Sequence, residues 1–221
     1  YKDIRDYYHK WYRPDLQGIV IVGDIDVDAV EAKLKTIFAD VQKAVNPAER
    51  VYYPVADNKE PIVAIGTDKE VDDPSIEVYF KQDATPDSEK NNVGYLASQY
   101  MTSMITSMLN ARLSELTQSA NPPFTRAYSS YGNFFVAKTK EALNLSASSK
   151  ADGIEKALKV LLQEAERARR FGFTESEYAR ARANYLQRLE SAYNEREKTK
   201  HGSYVREYVR NFLDAEPIPG I

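Results

Sequence analysis

Hydrophobic positions in the first 41 residues change from helical spacing to a continuous run and back again. Residues 1–12 repeat aromatic and aliphatic side chains at intervals of three and four, which predicts a helix. Residues 18–23, GIVIVG, are apolar at consecutive positions, which predicts a short strand buried on both faces. Asp26 and Asp28 are favourable N-cap residues, and helical spacing resumes after them. This stretch predicts a helix–strand–helix unit whose strand needs neighbours on both sides.

The rest of the chain pairs its predicted strands and groups its predicted helices. Residues 42–58 contain Pro47 and Pro54 without a helical period, which indicates a linker. Short apolar or alternating runs predict strands at 62–66, 75–82, 125–137 and 142–148. Longer runs with helical spacing predict helices at 92–116, 153–170, 174–198 and 203–213. This order predicts an α+β fold, a two-layer sandwich in which helices cover an antiparallel or mixed sheet.

Composition narrows the possible functions mainly by exclusion. The chain has 221 residues, of which 43% are hydrophobic, and its net charge of −3 gives no general case for binding nucleic acid or an anionic membrane. Cysteine is absent, so disulfides and thiol nucleophiles are excluded. The longest apolar run is too short for a membrane span. Because the sequence begins at Tyr1 within a predicted helix, we expect it to be a piece of a longer parent protein.

Few side chains offer metal-binding or catalytic chemistry. His9 and His201 are the only histidines, and they lie far apart in the sequence. The HxxEH pattern of a zinc peptidase does not occur. A catalytic zinc needs three protein ligands, which two distant histidines do not supply. The sequence therefore predicts no metal site and no catalytic residue in this chain.

Arginines are concentrated in two of the predicted helices. The cluster consists of Arg167, Arg169, Arg170, Arg180, Arg182 and Arg188. Glutamates are interleaved with them, which favours a solvent-exposed helix face that carries several ion pairs. A nucleic-acid-binding module is the weaker alternative, and its affinity would fall steeply with salt.

Two segments of the sequence resemble the pitrilysin/insulinase family of zinc peptidases. In WYRPDLQGIVIVGDIDVDAVEAKLKTIF, at 11–38, an aromatic helix leads to a turn, a strand ending in Gly-Asp and a helix ending in Phe. NARLSELTQSANPPFTRAYSSYG, at 110–132, is similar to the family's second-domain motif, in which an aromatic residue enters a strand after a loop. The resemblance covers essentially the whole chain, is nearest to the long four-domain bacterial members, and implies the family's metallohydrolase fold.

This resemblance implies a domain layout and a setting. Residues 1–44 would close a preceding peptidase domain, residues 45–60 would be a linker, and residues 61–221 would be a non-catalytic second domain. The family cleaves peptides in a chamber formed by two halves, with zinc held by HxxEH and a downstream Glu in the first domain. The parent would therefore hold zinc, this chain would hold none, and the partners would be a peptide or protein substrate and the parent's remaining domains. A periplasmic parent is also implied.

The resemblance also assigns candidate site residues. The family's substrate-binding Arg and Tyr match Thr117 and Phe124, but threonine carries no charge and phenylalanine has no hydroxyl. This departure implies the non-catalytic second domain of the active half. There the strand after the loop binds the substrate's amino-terminal part by strand addition. Carried onto this sequence, that strand is 126–134, with Tyr128 and Ser130 as the expected contacts.

Two functions stay open at this point. The chain could be the non-catalytic domain of an active zinc endopeptidase, which builds the chamber wall and binds peptide at a sheet edge. Alternatively, the parent has lost catalysis and acts as a scaffold, as some respiratory-complex core proteins of the family do. An HxxEH pattern in the parent, before Tyr1, would distinguish the two.

The apolar run at 18–23 leads to one further structural expectation. An exposed apolar strand invites edge pairing. We expect it to fill a vacant position in the second domain's sheet, either within the same chain or across a swapped dimer.

Overall fold

A computed structural model describes residues 1–71 and 73–218 and divides the chain into two compact units. Among these, residues 1–51 and 193–218 form the smaller unit, and residues 52–71 and 73–192 form the larger one. The α-helices are α1 (Lys2–Trp11), α2 (Val27–Ile37), α3 (Val93–Thr117), α4 (Ile154–Phe171), α5 (Glu175–Asn194) and α6 (His201–Asp214). The strands are β1 (Ser75–Asp83), β2 (Arg126–Asn133) and β3 (Lys140–Ser148).

The larger unit contains a three-stranded sheet in the order β1-β3-β2. Both pairings are antiparallel, and Leu145 in the central strand lies opposite Val78 on one side and Ser129 on the other. The predicted hairpin of two consecutive strands is therefore present as β2 and β3. Since β3 is central, β1 and β2 are both edge strands among the described residues.

Helices α3 and α4 cover one face of this sheet, which confirms the predicted α+β class. The core is formed by α3 and α4 residues together with β3 and the residues just before β2, namely Leu109, Leu113, Phe124, Leu145, Ala147, Ala157 and Leu161. Side chains alternate along a strand, so Leu145 and Ala147 face the helices while Asn144 and Ser146 lie on the opposite face. This second face carries polar and aromatic side chains. Its β2 side is exposed at Tyr128 and Ser130, whereas Ser146 in the central strand is buried. It is called the open face below.

Local capping signals start the helices close to where the sequence places them. The Asn92 side chain accepts a hydrogen bond from the backbone N–H of Tyr95 at the start of α3. At the start of α5, Glu177 accepts from the Thr174 backbone N–H at 2.7 Å, and the Thr174 hydroxyl accepts from the Glu177 N–H at 3.3 Å, which is a capping box. The helix start predicted at 174 is therefore confirmed at α5.

The apolar run at 18–23 does not form the predicted strand. Residues 18–22 have no regular secondary structure in the described chain, and Ile19 and Ile21 are 58% and 48% exposed. A strand requires hydrogen-bonded neighbours, and the described sheet contains only β1, β3 and β2. The expectation that this run fills the sheet within the same chain is therefore wrong, whereas the swapped dimer stays a prediction. Within the smaller unit, the ring of Phe212 lies against Gly18.

A second predicted strand, at 62–66, is also absent from the described chain. Ile62, Val63 and Ile65 are all strongly exposed and make no ladder with β1. A short apolar pattern does not by itself specify a strand, because a strand also needs a hydrogen-bonded neighbour. The proposed boundaries at 1–44, 45–60 and 61–221 stay a prediction.

Candidate functional site

The β2 strand carries the candidate site because it lies at the edge of the sheet. The backbone N–H of Phe134 donates to the Lys140 carbonyl at 2.9 Å, which continues the register of β2 and β3. Hydrogen-bonded pairs alternate along an antiparallel ladder, so even-numbered residues of β2 bond to β3. The backbone groups of the odd-numbered residues therefore point away from the sheet, at Ala127, Ser129, Tyr131 and Asn133.

One of these outward positions is already occupied by a side chain from α3. The Ser129 N–H donates to Asn110 Oδ1 at 2.6 Å, and Asn110 Nδ2 donates to the Ser129 carbonyl at 3.0 Å. The Ser129 hydroxyl donates to Asn110 Oδ1 at 3.1 Å and lies 3.4 Å from the Thr106 carbonyl oxygen. Ser129 is consequently buried, although it belongs to an edge strand.

Tyr128 and Ser130 lie on the open face of β2, two residues apart. Tyr128 is 43% exposed and Ser130 is exposed, and they stand opposite Ser146 and Asn144 of β3. Asn144 in turn stands opposite Tyr79 of β1. The two predicted contact residues therefore share a surface of hydroxyl, amide and aromatic groups.

Tyr79, on the β1 side of the open face, packs against two aromatic rings. Its ring centroid lies 5.4 Å from that of Phe134 and 5.0 Å from that of Phe135. Burial and then a hydrogen bond to the Glu77 carboxylate raise the pKa of Tyr79 to about 12. The phenol therefore stays neutral at physiological pH and keeps its capacity to donate a hydrogen bond.

Thr117 and Phe124, which the resemblance pairs with the family's substrate-binding Arg and Tyr, do not join this surface. Phe124 is 2% exposed and belongs to the core between the sheet and the helices. Thr117 is the last residue of α3, and its hydroxyl donates to the Ser114 carbonyl at 2.6 Å. Phe124 therefore suits core packing, and Thr117 suits the end of a helix. The contact roles of Tyr128 and Ser130 stay a prediction.

Sequence reasoning missed Asn110, Tyr79 and Asn144. The sequence contains one weak indication of Asn110, since asparagine is a poor helix former and occurs here in the interior of a long helix. It contains no indication of Tyr79 and Asn144, because their proximity depends on the pairing of β1 with β3.

Lys140 fastens the chain segment before β1 to this end of the sheet. Its buried ammonium lies 2.7 Å from Asp57 Oδ1 and 2.5 Å from Asp83 Oδ1. The bonds to Asp57 and then Asp83 raise the pKa of Lys140. The Val55 N–H also donates to the Thr139 hydroxyl at 3.3 Å. The region predicted as a linker is thus attached to the sheet.

The arginine cluster contains the ion pairs that the interleaved glutamates predicted. Arg169 Nε lies 2.7 Å from Glu166 Oε2, and Arg170 pairs with the same carboxylate. Arg167 lies 3.5 Å from Glu164. These contacts favour the solvated helix face for this part of the cluster.

The described residues include no group of three histidine, aspartate or glutamate side chains able to hold a metal ion. They therefore do not fit the zinc ligand set that the family implies. Within the same described ranges, no helix has the length and apolar character needed to cross a membrane.

Two solved structures with the same fold are named as proteases. The periplasmic protease PqqL from Escherichia coli superimposes with a TM-score of 0.76 at 20% identity, covering 99% of this chain and 24% of that one. A predicted insulinase family protease from Yersinia pestis gives 0.75 at 13% identity, covering 98% of this chain and 46% of that one. At these identities, the likeness concerns the fold alone.

The chain belongs to the peptidase M16 family, because the profile of the Peptidase M16 inactive domain matches residues 1–185. This confirms the resemblance to the pitrilysin/insulinase peptidases. A zinc protease PQQL-like protein of Arabidopsis thaliana is 27% identical over 219 residues, which is 99% of this chain and 20% of that protein. A probable zinc protease PqqL of Haemophilus influenzae is 29% identical over 119 residues, covering 52% of this chain and 12% of that protein. The chain thus spans a fifth or less of the length of these relatives.

Proposed function

We propose that this chain is the non-catalytic second domain of a zinc-dependent endopeptidase, where it builds part of the substrate chamber and binds extended peptide along β2. The relatives named zinc proteases and the match to an inactive domain support the first part. The absence of HxxEH from this sequence agrees with a non-catalytic role. The remaining domains of the parent would supply the zinc ligands, and the parent would work in the periplasm.

The observation that carries the peptide-binding role is the edge position of β2. An extended peptide adds to such an edge through main-chain hydrogen bonds, and the flanking side chains provide selectivity. The outward groups of Tyr131 and Asn133 have no hydrogen-bond partner among the described residues. Tyr128 and Ser130 lie on the open face, and from there their side chains would contact alternate side chains of an added strand.

Substitutions in the parent enzyme test this function. Tyr128→Ala and Asn133→Pro should raise the KM for long peptides several-fold while turnover of a short fluorogenic peptide stays unchanged. Proline at 133 removes an outward N–H without breaking a bond to β3. Tyr128→Phe, which keeps the ring, is the matched control. Unchanged KM values for long peptides in both variants would refute the assignment of β2.

Catalysis by the parent is tested separately. Peptide hydrolysis that a chelator abolishes and added zinc restores is the expected result. Its absence in a correctly folded parent would refute the endopeptidase role and leave a scaffold instead.

A further inference from the structure

We infer that Asn110 is a built-in cap which closes the β2 edge at Ser129 and restricts an added peptide strand to the outward positions of Tyr131 and Asn133. The inference rests on the proposed function, because it concerns peptide binding at the same edge. Asn110 would thus determine which backbone positions of β2 a peptide can pair with.

The chemistry of the cap follows from the carboxamide group. A primary amide offers one acceptor oxygen and an N–H₂ donor, the same pair of groups that a residue of a neighbouring strand presents. Asn110 uses both on Ser129, accepting from its N–H and donating to its carbonyl. The side chain therefore occupies the two backbone groups that an added peptide would need at this position.

The cap divides the edge into two unequal parts. Outward groups recur every second residue, so Ala127 is left alone on one side of Ser129. Tyr131 and Asn133 are consecutive outward positions on the other side and together offer up to four backbone hydrogen bonds. Gly132, between them, has nothing within 4 Å of where a Cβ would stand, so a strand can approach there.

The accessible part of the edge is also held in place from within the sheet. The Tyr131 hydroxyl donates to Glu141 Oε2 at 2.6 Å, and the Gln82 amide bonds to the same hydroxyl. These contacts lie on the helix-covered face and leave the outward backbone groups of Tyr131 available. An incoming peptide therefore meets a backbone that is already ordered, which lowers the entropic cost of pairing.

Amide hydrogen exchange on the 221-residue chain tests the cap and the binding together. In the absence of peptide, the Ser129 amide should exchange slowly and those of Tyr131 and Asn133 quickly. A capped probe peptide of about ten residues, alternating Thr and Val with terminal Lys, should then protect Tyr131 and Asn133 and leave Ala127 unchanged. In Asn110→Ala, the free Ser129 amide should exchange quickly and become protected by the peptide.

Affinity provides the second measurement. Asn110→Ala opens one more pairing position with two hydrogen bonds, so the probe should bind roughly tenfold more tightly. Ser114→Ala, on an exposed position one turn further along α3, is the matched control and should bind like the unsubstituted chain.

The outcomes separate this inference from the function on which it rests. Binding at β2 with the same affinity in the unsubstituted chain and in Asn110→Ala would overturn the cap. So would rapid exchange of the Ser129 amide in the free unsubstituted chain, a test that needs no variant. If the peptide protected no β2 amide from exchange in either protein, strand addition itself would be overturned. The proposed restriction of the peptide to Tyr131 and Asn133 would then fall with it.

Discussion

Arg112 and Glu177 form a two-point ion pair, in which Nε lies 2.5 Å from Oε1 and Nη2 lies 2.9 Å from Oε2. Arg112 belongs to α3 and Glu177 to the first turn of α5, so the pair joins two helices of the larger unit. The same guanidinium donates to the Gly172 carbonyl at 3.0 Å and stacks 4.5 Å from the Phe173 ring centroid. One buried side chain thus fastens the turn between α4 and α5 to the helix that flanks β2.

Removing the carboxylate should destabilise the larger unit strongly. Glu177→Gln leaves the buried Arg112 without its counter-charge, and breaking such a pair costs about 3–5 kcal/mol. The free energy of unfolding from urea denaturation is the measurement. Glu175→Gln, at an exposed position in the same turn of α5, should change it by less than about 0.5 kcal/mol. Equal stabilities for the two variants would show that the pair contributes nothing net.

The same pair should give the larger unit an acid-sensitive stability. The hydrogen bond from Arg112 is the largest cause lowering the pKa of Glu177, from 4.5 to about 2. Because the folded-state pKa is depressed, this stabilisation is fully present above pH 4.5 and is lost as the pH falls towards about 2. On acidification between those pH values, the free energy of unfolding from urea denaturation should fall less in Glu177→Gln than in the unsubstituted chain. If it fell equally in both, the acid sensitivity would come from other carboxylates.

Tyr at position 124 and Arg at position 117, the residues that the family resemblance implies there, should affect the stability differently. Phe124→Tyr places a hydroxyl in the core, and leaving it without a partner costs about 1–3 kcal/mol. Thr117→Arg places a cation at the C-terminal end of α3, where the helix dipole favours it, and should be neutral or slightly stabilising. Thermal unfolding of both variants is the measurement. A fully stable Phe124→Tyr would show that the hydroxyl reaches a partner or solvent.

Local patterns in the sequence predict much of the fold, because their determinants lie within a few residues of one another. Asp26 accepts a hydrogen bond from the N–H three residues later, at 3.0 Å, and so starts α2 as expected. Thr174 and Glu177 are also three residues apart and start α5. Alternating side chains likewise predict the β2–β3 hairpin. The family motifs identify the class for the same reason, since they are contiguous in the chain.

The apolar runs at 18–23 and 62–66 show where such reasoning fails. Their composition suits buried strands, yet neither run is paired in the described chain. Hydrophobicity indicates that a segment gains free energy from burial, but it does not specify the surface that buries it. A strand exists only with its neighbour, which is a tertiary property.

The sequence by itself determined the α+β class, the family, the main helices and the hairpin. Only the tertiary structure decided that β3 is central, that β2 is an edge and that Asn110 closes part of that edge. The Asn110 amide and the Ser129 backbone are 19 residues apart in the chain. Hydrogen bonds over that separation depend on how α3 packs against the sheet, and no local spacing in the sequence encodes that packing.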